Sequence, residues 1–477
     1  MSSFPLVIDL DGTLLHTDML HESVVQILRN SPQITLSIPF WLLQGKAVLK
    51  KNLATRVDFD VSTLPYNLEL LNWLKQQKLE GRKLILCTAS DISIATKIAE
   101  YLNIFDEVIA SDGQVNLGGR FKAHALINRF GSKEYDYIGN SNDDLAVWEH
   151  ARKAIVVNFS NLLYKKVELQ CEIERSFPSP TLNFGVWRRA FRMHQWLKNL
   201  LLFVPMLAAH QLANAGTWHS LIIAFLSFSL CASSVYIAND LLDLESDRQH
   251  PRKCKRPFAA GNIPIWMGVL LAPVLFCSSL LLGQFVGATF ILWLLFYFGL
   301  TCAYSWGIKR LVLLDCLTLA MLYTLRILAG ASAAEMSLSF WLLGFSVFLF
   351  LSLAFVKRYA ELEVQLLSGN LKVHGRGYYT SDAVLIQTMG ITSGYASILV
   401  LALYLNSDIV SSLYRLPEIV WLAVPIMLFW VSWMWMQAHR GKMHDDPLVF
   451  AVKDPASLLS GLLFAVVLMI GAIGLPW

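Results

Sequence analysis

Nine long apolar runs follow residue 190, and they limit most of what this chain can fold into. They lie at roughly 197–212, 218–238, 265–283, 286–305, 311–331, 338–356, 384–406, 418–437 and 457–476. Each is near the ~20 residues that carry an α-helix across the hydrocarbon of a bilayer. Only helices and closed barrels satisfy their own backbone polar groups there. Composition agrees: 55% of the 477 residues are hydrophobic and 16% are charged, against about 25% charged in ordinary soluble domains. The first run is short at its start.

Charge placement orients these runs. Arg188, Arg189 and Arg192 precede the first. Later basic clusters fall in alternate loops: Arg248 to Arg256, Lys309 with Arg310, Lys357 to Arg376, and Arg440, Lys442 and Lys453. The four intervening loops carry only Arg415. By the positive-inside rule the N-terminus is expected in the cytoplasm and the C-terminus outside, in an inner (cytoplasmic) membrane. A net charge of +4 is too small to imply a nucleic-acid partner. Seven scattered cysteines, with no C-x-x-C pair, fit a reduced compartment or membrane burial. No cleavable signal peptide is apparent in residues 1–15.

Before residue 190 the pattern differs. Pro5–Asp9, Lys83–Thr88, Glu107–Ala110 and Tyr135–Gly139 read as strands separated by helical stretches, the rhythm of a parallel sheet with helices on both faces. Residues 20–78 are a mostly helical insertion, and Phe177-Pro178-Ser179-Pro180 reads as a linker. Val7-Ile8-Asp9-Leu10-Asp11-Gly12-Thr13 ends the first strand with two carboxylates on one side. Thr88 ends the next strand, and Gly139-Asn140-Ser141-Asn142-Asp143-Asp144 ends a later one. Strand ends in such sheets meet at one crevice. The set suits phosphoryl transfer. Asp9 would be the nucleophile and Asp11 the acid and base. Mg²⁺ on Asp9 and Asp144, with Asp11 beside them, would offset charge, and Thr88 with a lysine would hold phosphoryl oxygens.

The D-x-D-G-T run, Thr88 and the late acidic cluster resemble the haloacid dehalogenase superfamily. That resemblance implies a phosphatase with a small helical cap at about 20–78, and it picks Lys122 as the lysine. The family's late motif usually begins Gly-Asp; here it begins Gly139-Asn140, which weakens one metal contact. Phe40-Trp41-Leu42-Leu43 is expected in the cap core or, less so, against the bilayer.

In the membrane half, Asn239, Asp243 and Asp247 recur every fourth residue, so a helix would place them on one face. Hard oxygen ligands at this spacing suit Mg²⁺ bridged by a diphosphate, with Asp240 alongside. Arg248, Lys253 and Arg256 follow as phosphate-binding candidates. Further candidates are Lys198, Tyr304, Lys309, Lys357 and Arg358. Asp315 and Arg326 lie within the fifth run, where ionisable groups are costly and usually serve a site; a purely structural Asp315–Arg326 ion pair is the other reading. Met443-His444-Asp445-Asp446-Pro447 and Asp454 occupy the last basic loop, as a lid or a structural cap.

Asn239–Pro257 resembles the first aspartate-rich motif of the UbiA superfamily of membrane transferases, whose usual members move a prenyl group from prenyl diphosphate to an aromatic ring. Their second motif usually carries paired acids; here only Asp315 is present. R-x-x-Q-W-x-K-N at 192–199, H-P-x-K-x-x-R-P at 250–257, Tyr304-Ser305 with Lys309, Arg326, and Lys357–Leu362 resemble the decaprenyl-phosphate phosphoribosyltransferase branch more closely. The resemblance implies transfer of phosphoribose from phosphoribosyl diphosphate to polyprenyl phosphate, with Mg²⁺ as cofactor and the membrane as partner. The fused phosphatase would then remove the 5-phosphate. The alternative is prenyl transfer from prenyl diphosphate to an aromatic acceptor. The expected architecture is multidomain. An α/β Rossmann-like haloacid dehalogenase fold covers 1–175, a linker 176–189, and an all-α nine-helix transmembrane UbiA-type bundle 190–477.

Overall fold

A computed structural model describes residues 4–179, 181–337, 339–367, 369, 371–372, 376–407, 413–443 and 446–474. The chain forms two compact units. One comprises Met1–Phe191 with Tyr236–Ala272; the other comprises Arg192–Val235 with Pro273–Trp477.

The first unit is built on six parallel strands: β1 (Leu6–Ile8), β2 (Leu84–Asp91), β3 (Glu107–Ser111), β4 (Asp136–Gly139), β5 (Lys153–Phe159) and β6 (Glu172–Pro178). Their order across the sheet is β3-β2-β1-β4-β5-β6. Strands covered on both faces read as continuous apolar runs, and Leu6-Val7-Ile8 and Leu84–Cys87 are wholly buried. Alternate side chains enter two cores. Leu6, Ile8, Leu84 and Leu86 meet the helices Leu68–Leu79 and Ile92–Leu102 on one face. Val7, Ile85, Cys87 and Tyr137 meet the helix Arg120–Phe130 on the other. The four strands expected from sequence are present, and two more extend the sheet. The expected linker at 176–189 starts inside β6, because Phe177 is buried against Trp73, with ring centroids 5.8 Å apart. Pro180 of that segment lies outside the described residues.

The insertion also divides. Helices Met19–Asn30, Ile38–Leu43 and Lys46–Ala54 enclose a small core of Ile27, Leu49 and Leu53, with Ile38 and Trp41 packed on it. Leu68–Leu79, expected to belong to the cap, instead packs on the sheet. Phe40, Leu42 and Leu43 are exposed, so of the apolar quartet only Trp41 joins the cap core.

Eight of the nine apolar runs form helices long and apolar enough to cross a membrane, among the described residues: Ala215–Leu242, Ile265–Gln284, Ala288–Trp306, Leu314–Ala333, Phe340–Leu367, Thr380–Leu405, Pro417–His439 and Pro455–Ile473. The run at 197–212 is the exception to the nine-helix expectation. It forms a 3₁₀ helix, Met193–Phe203, and a short α-helix, Val204–Ala208. Its polar side chains bond to the neighbouring helix: Trp196 Nε1 donates to Ser233 Oγ at 3.0 Å and Asn199 Nδ2 to Ser229 Oγ at 2.9 Å. It also lies directly on Gly330. A Cβ there would stand 2.0 Å from the carbonyl oxygen of Leu202, and small residues permit such close approach of backbones. The core of the second unit gathers Tyr323, Phe350, Leu353, Tyr359, Ile398 and Trp435.

Candidate functional site

The acidic set of the α/β domain assembles where β1, β2 and β4 end. Asp9 ends β1, Asp11 is extended, and Gly12 turns the chain at φ 70°. Lys122, on the helix Arg120–Phe130, donates to Asp9 Oδ1 at 2.7 Å and stands 3.7 Å from Asp144. Tyr137 links both, accepting from Lys122 at 2.9 Å and donating to Asp144 at 2.6 Å. Asp144 Oδ2 accepts from the backbone amides of Asn140 and Ser141 and from Ser141 Oγ, at 2.9 to 3.1 Å. Asp11 is held by Thr88 Oγ1 at 3.2 Å, Ser90 Oγ at 2.7 Å and the amide of Met19 at 2.8 Å.

Burial dominates the electrostatics here. It pushes Asp9 up to about 7, with Lys122 pulling the other way and Asp144 and Asp11 adding repulsion. Burial raises Asp11 as well. Lys122 is raised: burial opposes its charge, but Asp9 and Asp144 more than compensate. The structure thus brings together Asp9, Asp11, Thr88, Lys122 and Asp144. Two buried carboxylates bridged by one lysine form a donor set of hard oxygens, the kind Mg²⁺ prefers. Among the described residues no three His, Cys, Asp or Glu side chains converge at metal-binding range. Sequence reading missed Tyr137, Ser90 and Lys50. Lys50 reaches in from the cap, donating to the carbonyl of Ala89 at 2.6 Å, and burial lowers its pKa.

The aspartate-rich segment lies in the same unit. The helix Ala215–Leu242 ends one residue before Asp243, and a short helix, Leu244–Gln249, follows. The helical ladder nevertheless continues, with Asp243 N bonded to Asn239 O at 2.9 Å and Asp247 N to Asp243 O at 2.8 Å. On an unbroken helix Asn239, Asp240, Asp243 and Asp247 would fall within about 100° of arc; Asp243, at φ −101° and ψ 13°, interrupts it. Arg256 gathers two of them, reaching Asp240 at 3.1 Å and Asp247 at 2.5 Å. Burial holds Asp247 above the usual carboxylate range, with Arg256 opposing. Hard oxygens with one member disfavoured by burial are a donor set that suits a divalent cation. Lys253 is exposed. Arg248, expected on phosphate, is instead bonded to Glu22 and to the carbonyl of Ala259.

The second unit holds two buried charge clusters. In the first, Asp446 receives Lys198 at 2.8 Å, Lys357 at 3.6 Å and the Tyr323 hydroxyl at 2.9 Å. Burial would raise this carboxyl, but the two lysines outweigh it and hold Asp446 well below the carboxylate range. His444 and Asp445 lie outside the described residues, and Asp454 caps the helix Pro455–Ile473. In the second cluster, Asp315 meets Arg358 at 2.5 Å, Arg376 at 3.6 Å and the Tyr378 hydroxyl at 2.5 Å. Arg376 also reaches Tyr304 at 3.2 Å, and Arg358 pairs with Glu361.

The Asp315–Arg326 pair does not form. Arg326 donates to Asn199 at 2.9 Å, to Tyr297 at 3.1 Å and to the Leu322 carbonyl, and it lies over the rings of Phe228, Tyr297 and Tyr323. Neutral acceptors and π-faces hold this guanidinium. Lys309 is half-buried in the turn Ile308–Arg310. Tyr323 and Arg376 were not legible as site residues, because their partners are distant in sequence, and Asp446 was read only as part of a lid or structural cap.

Residues 202–454 match the UbiA prenyltransferase family. An uncharacterised protein of Sinorhizobium fredii is 36% identical over 97% of this chain and 90% of its own length. The chain belongs to the UbiA prenyltransferase family. As a UbiA protein with eight membrane-capable helices it is a multi-pass membrane protein. The nodulation protein NoeC of Azorhizobium caulinodans is 36% identical over 58% of the chain and 90% of its own length. The decaprenyl-phosphate phosphoribosyltransferase of Mycolicibacterium smegmatis is 38% identical over 37% of the chain and 57% of its own length. A solved UbiA homolog from Archaeoglobus fulgidus, bound to GPP and Mg2+, covers 60% of this chain and 100% of its own at 16% identity, with a TM-score of 0.46.

Proposed function

We propose that the UbiA part of the chain transfers phosphoribose from phosphoribosyl diphosphate to a polyprenyl phosphate. We further propose that the α/β domain is a haloacid dehalogenase-like phosphatase that removes the 5-phosphate of the product. The observation that carries the first reading is the cluster of basic side chains gathered at Asp446. Two lysines and a tyrosine converge there on one buried carboxylate, a cationic provision that phosphorylated substrates need and an aromatic acceptor does not. The phosphoribosyltransferase names among the relatives point the same way.

In this reading a phosphate oxygen of the lipid attacks C1 of the ribose as the C1–diphosphate bond breaks. Asn239, Asp243 and Asp247 would hold Mg²⁺, which offsets the charge of the departing diphosphate. Arg256 and Lys253 take its oxygens, with Asp240 orienting Arg256. Within the other unit, Lys198, Lys309, Arg326 and Lys357 are the candidates for binding substrate phosphates, while Asp315 and Tyr304 orient Arg358 and Arg376. In the α/β domain Asp9 attacks phosphorus. Asp11 gives a proton to the leaving ribose oxygen and then takes one from water. Lys122 and Thr88 hold the phosphoryl oxygens, and Asp144 with Asp9 and Asp11 would hold the metal.

A 3₁₀ helix rises about 2.0 Å per residue, so the segment Met193–Ala208 reaches about 30 Å, the thickness of the hydrocarbon core. We assign it as a ninth crossing of the inner membrane. The N-terminal domain is then cytoplasmic and the C-terminus outside.

The test is a donor screen on purified protein. Labelled phosphoribosyl diphosphate with polyprenyl phosphate is expected to label the lipid, and Asp243→Asn to reduce the rate at least ~100-fold. Label passing from prenyl diphosphate to an aromatic acid, and none from the sugar donor, would establish prenyl transfer instead.

A further inference from the structure

Arg248 follows Asp247 directly, yet its guanidinium is turned away from the carboxylates. Its side chain is 6% exposed. Nη2 donates to Glu22 Oε1 at 2.6 Å, Nη1 to Glu22 Oε2 at 3.2 Å, and Nε to the Ala259 carbonyl at 3.0 Å. Such a fork fixes orientation as well as distance. Glu22 is 226 residues away in sequence, on the first cap helix, Met19–Asn30, and is itself held by Thr17 Oγ1 at 2.7 Å. The amide that opens that helix, Met19 N, is bonded to Asp11.

A second contact lies beside the first. Gly261 has φ +71°, and a Cβ on it would stand 2.5 Å from His16 Cβ and 3.0 Å from the His16 carbonyl oxygen. Gln249 also reaches Asp60 at 3.5 Å. The chain that follows Asp9 and Asp11 is therefore held, through His16 and Glu22, against the stretch from Arg248 to Gly261, which directly follows the aspartates of the UbiA part.

We infer that Glu22 is a positioning residue for the transferase: by fixing Arg248 it sets the orientation of the helix Leu244–Gln249, and so of Asp247 and Asp243. The α/β domain is then a structural part of the magnesium–diphosphate site, and Arg248 serves as its strap and not as a diphosphate ligand. The inference rests on the diphosphate-transfer reading above.

The experiment uses the full chain in detergent with phosphoribosyl diphosphate, polyprenyl phosphate and a Mg²⁺ titration. Misplacing catalytic groups by about 1 Å costs on the order of 100-fold, so Glu22→Gln is expected to lower kcat roughly 10- to 100-fold. The same variant should raise the Mg²⁺ concentration for half-maximal transfer while the KM for polyprenyl phosphate holds. Glu22→Asp is expected to recover part of the rate, and Glu22→Arg combined with Arg248→Glu more than either single change. The inference is overturned if Glu22→Gln leaves kcat and the Mg²⁺ requirement unchanged while Asp243→Asn abolishes transfer. It is equally overturned if the loss follows the thermal midpoint alone with the Mg²⁺ requirement unmoved. Full transfer by Asp243→Asn would overturn the diphosphate-transfer reading and this inference with it.

Discussion

Asp446 shows how a single carboxylate organises the UbiA part. Its folded pKa lies below its unfolded value, so the ionised form contributes stability. That contribution is complete above an unfolded pKa of about 3.9 and is lost as pH falls through the folded value. Asp446→Asn is therefore expected to cost on the order of 1–3 kcal/mol at pH 7, because Lys198 and Lys357 lose their counter-charge. The difference from the unmodified protein should shrink below about pH 4; thermal midpoints across pH in detergent measure it. A gap that stayed constant to pH 3 would remove the charge from the explanation. Residues at this scale were readable where they sit in a run. Asp9, Asp11, Thr88 and Asp144 lie within or just after apolar runs that read as strands, and the aspartates recur every fourth residue. Tyr137 was not readable, since a tyrosine inside a buried strand looks like core until Lys122 and Asp144 are seen bonded to its hydroxyl. Arg248 reads as one more basic residue until Glu22 appears opposite it.

Among elements, the 3₁₀ helix Met193–Phe203 carries the clearest consequence. Its backbone lies on Gly330 with no room for a methyl group. Gly330→Ala is expected to destabilise the protein by about 1–3 kcal/mol, since relief requires backbone movement. The check is the thermal midpoint of the purified variant, and an unchanged midpoint would rule out the tight packing described here. The 3₁₀ geometry of this segment, expected as the first of the nine runs, was not legible because an apolar run fixes burial but not the pitch of the helix. The bonds of Trp196 and Asn199 to Ser233 and Ser229 come from another element. Strands β1 to β4 were legible because apolar runs end in polar turns. β6 was not: Glu172, Glu174 and Arg175 break its pattern at the sheet edge, and its one buried anchor, Phe177, lies next to a proline that reads as linker. The cap's end was misjudged for a related reason. Leu68–Leu79 is amphipathic like the cap helices, and only packing assigns Leu70, Leu71 and Leu74 to the sheet.

For the whole molecule, a sheet domain with an acidic crevice and a multi-pass UbiA part share one chain, and the Sinorhizobium fredii relative matches nearly its full length. The proposed order of reactions gives that fusion a physical purpose. In that order transfer would leave a 5-phosphate on the lipid-linked sugar, and its hydrolysis would make the pair of steps effectively irreversible. The most direct test is the mass of the lipid product made from phosphoribosyl diphosphate and polyprenyl phosphate by the intact protein and by Asp9→Asn. The account predicts polyprenyl-phosphoryl ribose from the intact protein and the same lipid still bearing its 5-phosphate from the variant. A dephosphorylated product from Asp9→Asn, or no ribosylated lipid from either protein, would contradict it.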